Sequence, residues 1–178
     1  LQDAVPMTAG QEFNAFATMI ATEIERLDEP RRRLYEMNMG ATAIGTGLNA
    51  PAGYIPACAR HLAAVTGKPY VHLSGNLRLI ATRLSKIAND LRFLSSGPRA
   101  GLANYILPDR QPGSSIMPGK INPVIPEVVN QTCFHVMGID HSIALASEAG
   151  QLQLNVFEPV ITFNLFTAMV MLSRACAT

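Results

Sequence analysis

Apolar residues recur at helical spacing in the first thirty residues of the chain. They follow one another at three- and four-residue steps, at Phe13, Phe16, Ala17, Ile20, Ile24 and Leu27. Such spacing places them on one face of a helix, where they should face a partner. Thr8 with Glu12 nearby is a helix start signal, and the acidic residues 28–29 with Pro30 should bend or break the helix.

A heptad repeat predicts a second, longer helix. Its apolar residues alternate spacings of four and three, at Leu73, Leu77, Ile80, Leu84, Ile87, Leu91 and Leu94. An a/d pattern keeps one seam facing a neighbour, so we expect this helix to pack lengthwise in a bundle. Its other faces also carry apolar residues, which implies more than one neighbour. A leucine zipper on an isolated helix is the alternative.

Two more helices are predicted after residue 123. The first has Pro126 and Glu127 in its opening turn and runs to about Ala146. Its expected buried positions include Val129, Cys133, Val136 and Ile143. The second runs from about Pro159 to Cys176, and its expected core residues are Val160, Phe163, Leu165, Phe166, Val170 and Met171. Because no segment shows period-two alternation between hairpin turns, we predict an all-α fold, a bundle of long helices.

Composition narrows the classes of protein and partner. The 178 residues are enough for one domain with a sizeable core, and 48% of them are apolar. Charged residues make up only 15%, below the usual quarter, so we expect other copies of the chain or other parts of a longer protein to cover much of its exterior. The net charge of +1 and the lack of a basic block with interleaved aromatics argue against nucleic acid as a partner.

The sequence predicts no membrane span, no metal site and no cofactor. Charged, asparagine or proline residues interrupt every apolar stretch, and the start at Leu1 resembles neither a signal peptide nor an initiator. The histidines, at His61, His72, His135 and His141, lack the spacing of metal ligands. An odd number of widely spaced cysteines, at Cys58, Cys133 and Cys176, fits reduced thiols in a cytoplasmic protein. No local motif supports a Cys–His nucleophile pair.

The run from Gly113 to Pro123, GSSIMPGKINP, is too rich in glycine and proline to be helix or strand. Its glycines allow successive backbone N–H groups to converge, and its prolines limit the shapes it can take. Two hydroxyls, one ammonium and one amide complete a loop suited to holding an anion. An ordinary connector between two helices is the alternative. We call residues 113–123 the signature loop.

This loop matches the signature G-S-S-x-M-P-x-K-x-N-P at every fixed position, and the chain therefore resembles the aspartase/fumarase superfamily of lyases. The resemblance extends over residues 1–8, 40–49, 89–92, 95–101 and 150–156, so that nearly the whole chain is covered. It implies that residues 1–178 are most of a central helical domain that assembles as a homotetramer. The family's N-terminal and C-terminal domains are absent, and a stretch about as long as a short helix is expected to be missing between Pro69 and Tyr70.

The amino acids present in three segments favour the aspartase branch over the fumarase branch. They lie in the segments VPM at residues 5–7, VIPEVVNQ at 124–131 and ASEAGQL at 146–152. The resemblance then implies reversible deamination of L-aspartate to fumarate and ammonia, at active sites shared between subunits and without a required metal. This chain alone should be inactive. Fumarate hydration, or a non-catalytic tetramerisation core, are the alternatives.

By the same resemblance, Ser114 is the catalytic base, acting as an alkoxide that the loop amides and nearby positive charge stabilise. Ser115, Lys120 and Asn122 match positions that bind substrate, with Lys120 facing a carboxylate. Each also has a structural interpretation, because Ser114 could cap or turn the chain and Asn122 could be a turn residue before Pro123.

Four further residues are expected to support the site. Gly113, Met117 and Gly119 suit a mobile lid that closes to exclude water. Glu127 is expected to support Lys120 or the loop rather than to contact substrate. Alternatively, Glu127 is a first-turn acid that complements a helix dipole.

Overall fold

A computed structural model describes residues 5–33, 46–48, 50–54, 56–58, 70–152 and 154–178. These residues form five numbered helices: α1 Ala9–Arg26, α2 Asp28–Arg33, α3 Tyr70–Leu94, α4 Val124–Glu148 and α5 Glu158–Ala177. Within the described ranges, extended pairing is limited to two isolated bridges, so the predicted all-α fold is confirmed. His61 and the stretch before Tyr70, where the sequence predicts a missing segment, lie outside the described residues.

The start of α1 is a capping box centred on Thr8. The Thr8 hydroxyl accepts a hydrogen bond of 3.2 Å from the Gln11 amide, and the Gln11 side chain accepts one of 2.8 Å from the Thr8 amide. The predicted start signal is confirmed, because Thr8 is the N-cap and Glu12 lies in the first turn, while Gln11 makes the reciprocal bond. The predicted break occurs at Leu27, between α1 and α2.

The apolar face of α1 is largely uncovered in this chain. Phe13 and Ile24 are 49% and 61% exposed, whereas the buried residue of α1 is Glu23. The Glu23 carboxylate is bound by Arg26 at 2.9 Å and lies 3.5 Å from Arg83 of α3. An ion pair at a buried carboxylate therefore joins α1 to α3.

Helices α3 and α4 run antiparallel and form the centre of the bundle. The row of α3 that α4 covers most deeply is Ser74, Leu77, Ala81, Ser85 and Ala88. Of the seven heptad positions only Leu77 is buried, and the other six are half-buried. The predicted lengthwise packing is confirmed, but the contact seam is not the leucine seam. Small side chains let the two backbones approach closely, and the larger leucines flank the contact.

Helix α5 packs against α4 and, less extensively, against α3, and the three helices share one core. Cys133, Val136 and Ile143 of α4 are buried as predicted, and the α5 side of the core is formed by Ile161, Leu165, Ala168 and Leu172. The expectation that Phe163 and Phe166 fill the core is wrong, because they are 69% and 58% exposed. Val160 and Val170 are exposed as well. Helix α5 is apolar on all sides, so periodicity could not show which side faces α4.

By length and composition alone, α5 could cross a membrane, and it is the one helix with this property in the described part of the chain. This finding differs from the expectation that no apolar stretch is long enough. A core helix passes the same test, and a row of α5 residues is buried against α4 here. The property is therefore weak evidence for a membrane span.

Residues 95–123 connect α3 to α4 at one end of the bundle. The Leu94 carbonyl accepts hydrogen bonds of 2.9 and 3.2 Å from the amides of Asn104 and Tyr105, which folds this segment back over the end of α3. A Cβ at Gly101 would lie 2.3 Å from the Ser96 carbonyl carbon, so the turn requires glycine there. The signature loop follows and leads directly into α4.

Candidate functional site

The signature loop is closed at its neck by backbone pairing. The Gly113 amide donates a 2.9 Å hydrogen bond to the Lys120 carbonyl, and Pro112 and Ile121 form an isolated bridge. Within the loop, the Lys120 amide donates to the Met117 carbonyl at 3.1 Å. Gly119 between them has φ +76°, a conformation that favours glycine. Residues 113–120 are thus one excursion with joined ends.

Close contact explains the glycine at position 113. A Cβ there would lie 2.8 Å from the Lys120 carbonyl oxygen and 3.3 Å from Cγ of Asn122. The Asn122 side chain therefore lies against the Gly113 backbone, on the same side of the neck as the Lys120 carbonyl. Three of the predicted site residues are brought together in this way.

The two serines have different surroundings. Ser114 is half-buried, and its Oγ accepts a 3.2 Å hydrogen bond from the Ile116 amide. Ser115 is exposed, as is Met117 at 46%. The Ser114 hydroxyl therefore takes part in a turn of the loop.

A cleft of about 580 Å³ lies between the second half of the signature loop and the segment that follows α3. The loop contributes Pro118, Gly119, Lys120, Ile121, Asn122 and Pro123. The opposite wall consists of Ser95, Gly97, Pro98, Ala103 and residues 105–109. Three predicted site residues, Gly119, Lys120 and Asn122, line the cleft. The other five, Gly113, Ser114, Ser115, Met117 and Glu127, do not.

Lys120 is the cation of this cleft. Its side chain is exposed, and its ammonium makes no ion pair within the described part of the chain. No ion pair joins Glu127 to Lys120 there either. Glu127 is half-buried in the first turn of α4, and its amide donates to the Pro123 carbonyl at 3.1 Å. The Lys120 ammonium therefore lines the cleft together with the Asn122 amide without forming an ion pair in the described residues.

Sequence reasoning assigned no role to the opposite wall. Tyr105 lies there, and its hydroxyl donates a 3.3 Å hydrogen bond to the Glu12 carboxylate. Burial raises the pKa of Tyr105, and the Glu12 charge raises it further. Asp109 is the acidic residue among those that line the cleft. Residues 95–101 resemble the lyase superfamily in sequence, but the sequence did not show that the segment after α3 lies opposite Lys120. That position follows from the path of the backbone beyond Leu94.

Metal-ligating side chains do not cluster in the described ranges. There, no group of three or more histidine, cysteine, aspartate or glutamate residues could hold an ion. The described histidines, His72, His135 and His141, lie on α3 and α4. The polar groups of the signature loop suit an organic anion better than a metal ion.

Comparison with known proteins identifies relatives over the full chain. Residues 1–138 match the family described as Lyase. Aspartate ammonia-lyase of Helicobacter pylori (strain ATCC 700392 / 26695) is 55% identical over 100% of this chain and 42% of its own length. The enzyme of the same name from Bacillus subtilis (strain 168) is 51% identical over 98% of the chain and 40% of its own length, and that of Escherichia coli (strain K12) is 52% identical over 99% and 40%.

Solved structures give the same result. Fumarate lyase:delta crystallin from Brucella melitensis bound to cobalt has a TM-score of 0.88 and 50% identity, over 98% of this chain and 42% of that one. Recombinant class II fumarase from Schistosoma mansoni has a TM-score of 0.89 and 32% identity, over 98% and 43%. The chain spans about two fifths of the length of these relatives. Because the family match covers most of its residues, the chain belongs to the lyase family.

Proposed function

We propose that this chain is part of an enzyme that removes ammonia from L-aspartate to give fumarate, and that catalyses the reverse addition. The observation that carries the proposal is the anion-binding loop, with Lys120 unpaired in a cleft, in a chain 51–55% identical to proteins named aspartate ammonia-lyase. Other parts of the intact protein would complete the site, since the chain spans only about two fifths of those relatives.

The difficult step of such a reaction is removal of a proton from the carbon beside a carboxylate. This carbon is a weak acid, and two negative charges develop on the carboxylate as the proton leaves. Donors fixed in advance stabilise such charge, and loss of one typically costs about 3–4 kcal/mol. The Lys120 ammonium and the Asn122 amide line the same cleft and would supply two of these donors. Ser115 would bind the substrate from the loop.

Ser114 is the proposed base. As an alkoxide it would take the proton from the β-carbon, and the electron pair left behind would form the double bond of fumarate as ammonia leaves the α-carbon. The N–H of Ile116 already donates to Ser114 Oγ, and such donation stabilises a negatively charged oxygen. Ser114 does not line the cleft, so the proposal requires a loop movement that brings its Oγ to the substrate.

The remaining loop residues would serve that movement. Gly113 lies at the neck of the closed excursion, and Gly119 lies in the turn just before Lys120, where the backbone can turn. Met117 is exposed and would cover the substrate when the loop closes. Glu127 would support the loop from the first turn of α4.

Self-assembly into a homotetramer, with active sites shared between copies, is part of the proposal. The support is a set of exposed apolar side chains on α4 and α5, among them Phe134, Leu145, Phe163, Phe166 and Val170. Surfaces of this kind usually mark an interface. Sedimentation of the intact protein should give a tetramer, and a monomer would contradict this part of the proposal.

The proposed setting is the cytoplasm, with a small dicarboxylate as substrate and neither nucleic acid nor a membrane as a partner. All three cysteines, Cys58, Cys133 and Cys176, are free, which fits a reducing compartment. Fractionation of cells that produce the intact protein would test the location, and recovery in the membrane pellet would contradict it.

Fumarate hydration is the second candidate, because the fold matches a class II fumarase with a TM-score of 0.89. The two activities differ in the group expelled, ammonia or water. Fumarate formation from L-aspartate and from L-malate, followed by ultraviolet absorbance with the intact protein, separates them. Activity on malate alone would exclude the proposed deamination. A stable tetramer without either activity would favour the tetramerisation core.

A further inference from the structure

A polar network centred on the buried Asn130 joins α3 to α4 close to the end of α3. Asn130 is 2% exposed, and its Oδ1 accepts a 3.1 Å hydrogen bond from Nη1 of Arg92. Its Nδ2 donates to both the carbonyl oxygen and the hydroxyl of Ser85, each at 3.0 Å. Ser85 is itself 6% exposed. The proposed reaction uses none of these three residues.

This network permits only one orientation of the Asn130 amide. A flipped amide would point its N–H groups at the Arg92 guanidinium and its oxygen at the Ser85 carbonyl, so two of the three bonds would become repulsions, and only the Ser85 hydroxyl could rotate to donate instead. A shift of α3 along α4 would leave buried donors and acceptors without partners, which is strongly unfavourable. The network therefore fixes the alignment of the two helices at this level.

The position of the network connects it to both walls of the cleft. Arg92 lies two residues before the end of α3, where the Leu94 carbonyl accepts hydrogen bonds from the amides of residues 104 and 105, and residue 105 belongs to the wall opposite Lys120. Asn130 lies seven residues beyond Pro123, and therefore two helical turns below the end of the signature loop on the same face. The amides of Val124 and Glu127 donate to the carbonyls of residues 122 and 123, at 2.8 and 3.1 Å, which ties the end of the signature loop to α4.

We propose that Asn130 is a positioning residue, which sets the distance between Lys120 and the opposite wall by fixing the end of α3 against the start of α4. The inference rests on the proposed function of the cleft. Asn130 has no place in the chemistry itself, since it is buried in the bundle and is absent from the cleft lining.

The first test compares matched truncations in the intact protein. Asn130→Ala removes the network, while Asn164→Ala removes another bond between helices, in which Asn164 Nδ2 donates to Ser142 Oγ at 3.1 Å between α4 and α5. We expect KM for L-aspartate to rise about tenfold or more in Asn130→Ala, because small displacements of binding groups are costly. Asn164→Ala should leave KM unchanged. Equal KM values in the two variants would overturn the proposal.

A milder pair covers the case in which Asn130→Ala does not fold. Ser85→Ala removes one of the three bonds to Asn130. Ser74→Ala removes a buried bond at the far end of the same helix pair, from Ser74 Oγ to Asp140 Oδ1 at 2.7 Å. Ser85→Ala should raise KM and Ser74→Ala should not, although both lose stability. The same change in KM in both variants would show that the network contributes only to general packing, and would overturn the proposal.

Hydrogen exchange makes the test independent of catalysis. At temperatures chosen for equal global stability, peptides covering residues 95–123 should exchange faster in Ser85→Ala than in Ser74→Ala, with other peptides unchanged. Unchanged exchange in those peptides would overturn the positioning role, even in an active enzyme. If the wild-type protein lacks lyase activity, the proposed function fails, and the exchange experiment still decides whether Asn130 fixes the two walls.

Discussion

The Gly113 amide donates a 2.9 Å hydrogen bond to the Lys120 carbonyl across the neck of the signature loop. The contact is so close that a Cβ on residue 113 would lie 2.8 Å from that carbonyl oxygen. The backbone of the proposed substrate-binding lysine is therefore held in place by the residue that precedes the proposed base. Substitutions at this neck should therefore lower catalytic activity more than they lower the stability of the fold.

The first prediction is that Gly113→Ala disrupts the loop. The added methyl group must displace Lys120 or Asn122, at an expected overpacking cost of about 1–3 kcal/mol, and kcat/KM for L-aspartate should fall. Gly138→Ala is the matched control, because nothing lies within 4 Å of its Cβ position on α4. Alanine there should stabilise the helix by up to about 1 kcal/mol. Equal steady-state kinetics in both variants would contradict the close contact.

The second prediction concerns the charge of Lys120. Lys120→Met should lower kcat/KM for L-aspartate by about 10²–10³, the usual effect of losing one donor to a developing oxyanion. Lys120→Arg keeps the charge and should lose less activity. Lys86→Met, which removes an exposed lysine paired with Asp90 on α3, is the control and should leave kcat/KM unchanged. Wild-type kinetics in Lys120→Met would exclude Lys120 from substrate binding.

The third prediction is a loss of stability in alkaline solution through Cys133. Burial, and to a lesser extent the charge of Cys176, raise the pKa of its thiol from 9.0 to about 11, although a hydrogen bond with the Ser85 backbone acts in the opposite direction. Between these two pH values, the unfolded chain releases a proton that the folded protein retains. The contribution of Cys133 to stability is therefore complete below pH 9.0 and is lost as pH rises towards about 11.

Urea unfolding at several pH values checks this prediction. The free energy of unfolding should fall more steeply with alkaline pH in the wild-type protein than in Cys133→Ala, which has no thiol to ionise at that position. Identical slopes in the two proteins would show that burial of Cys133 does not shift its ionisation.

The fourth prediction concerns the core between α4 and α5. Ile143 is 0% exposed, so Ile143→Ala should lower the free energy of unfolding by about 2–5 kcal/mol through lost burial and a residual cavity. Ile106→Ala makes the same chemical change at a side chain that is 97% exposed, and should change stability by less than about 0.5 kcal/mol. Comparable losses in both variants would contradict the assignment of Ile143 to the core.

Local patterns predicted the helices well because spacing and capping act over a few residues. Helix α3 ends at Leu94, the last heptad leucine, and α4 and α5 lie within two residues of their predicted ends. The choice of buried face was less predictable. On α3 the contact runs through Ser74, Ala81 and Ser85, because polar partners on α4 and close backbone approach outweigh leucine burial.

The candidate site was predictable only in part. The composition of the signature loop indicated an anion, and Lys120 and Asn122 do line a cleft. Spacing could not show that Ser114 is held by the Ile116 amide away from this cleft, because that depends on the turn within the loop. The opposite wall, with Tyr105 and Asp109, depends on contacts at the end of α3 that no local pattern encodes.

Replacement of the proposed base tests the account most directly. Ser114→Ala and Ser115→Ala would be compared in the intact protein by the rate of fumarate formation from L-aspartate under saturating substrate. Loss of Ser114 should lower kcat by about 10²–10⁴, the usual contribution of a positioned base, while loss of the exposed Ser115 should act mainly on KM. Wild-type turnover in Ser114→Ala would contradict proton abstraction by this hydroxyl.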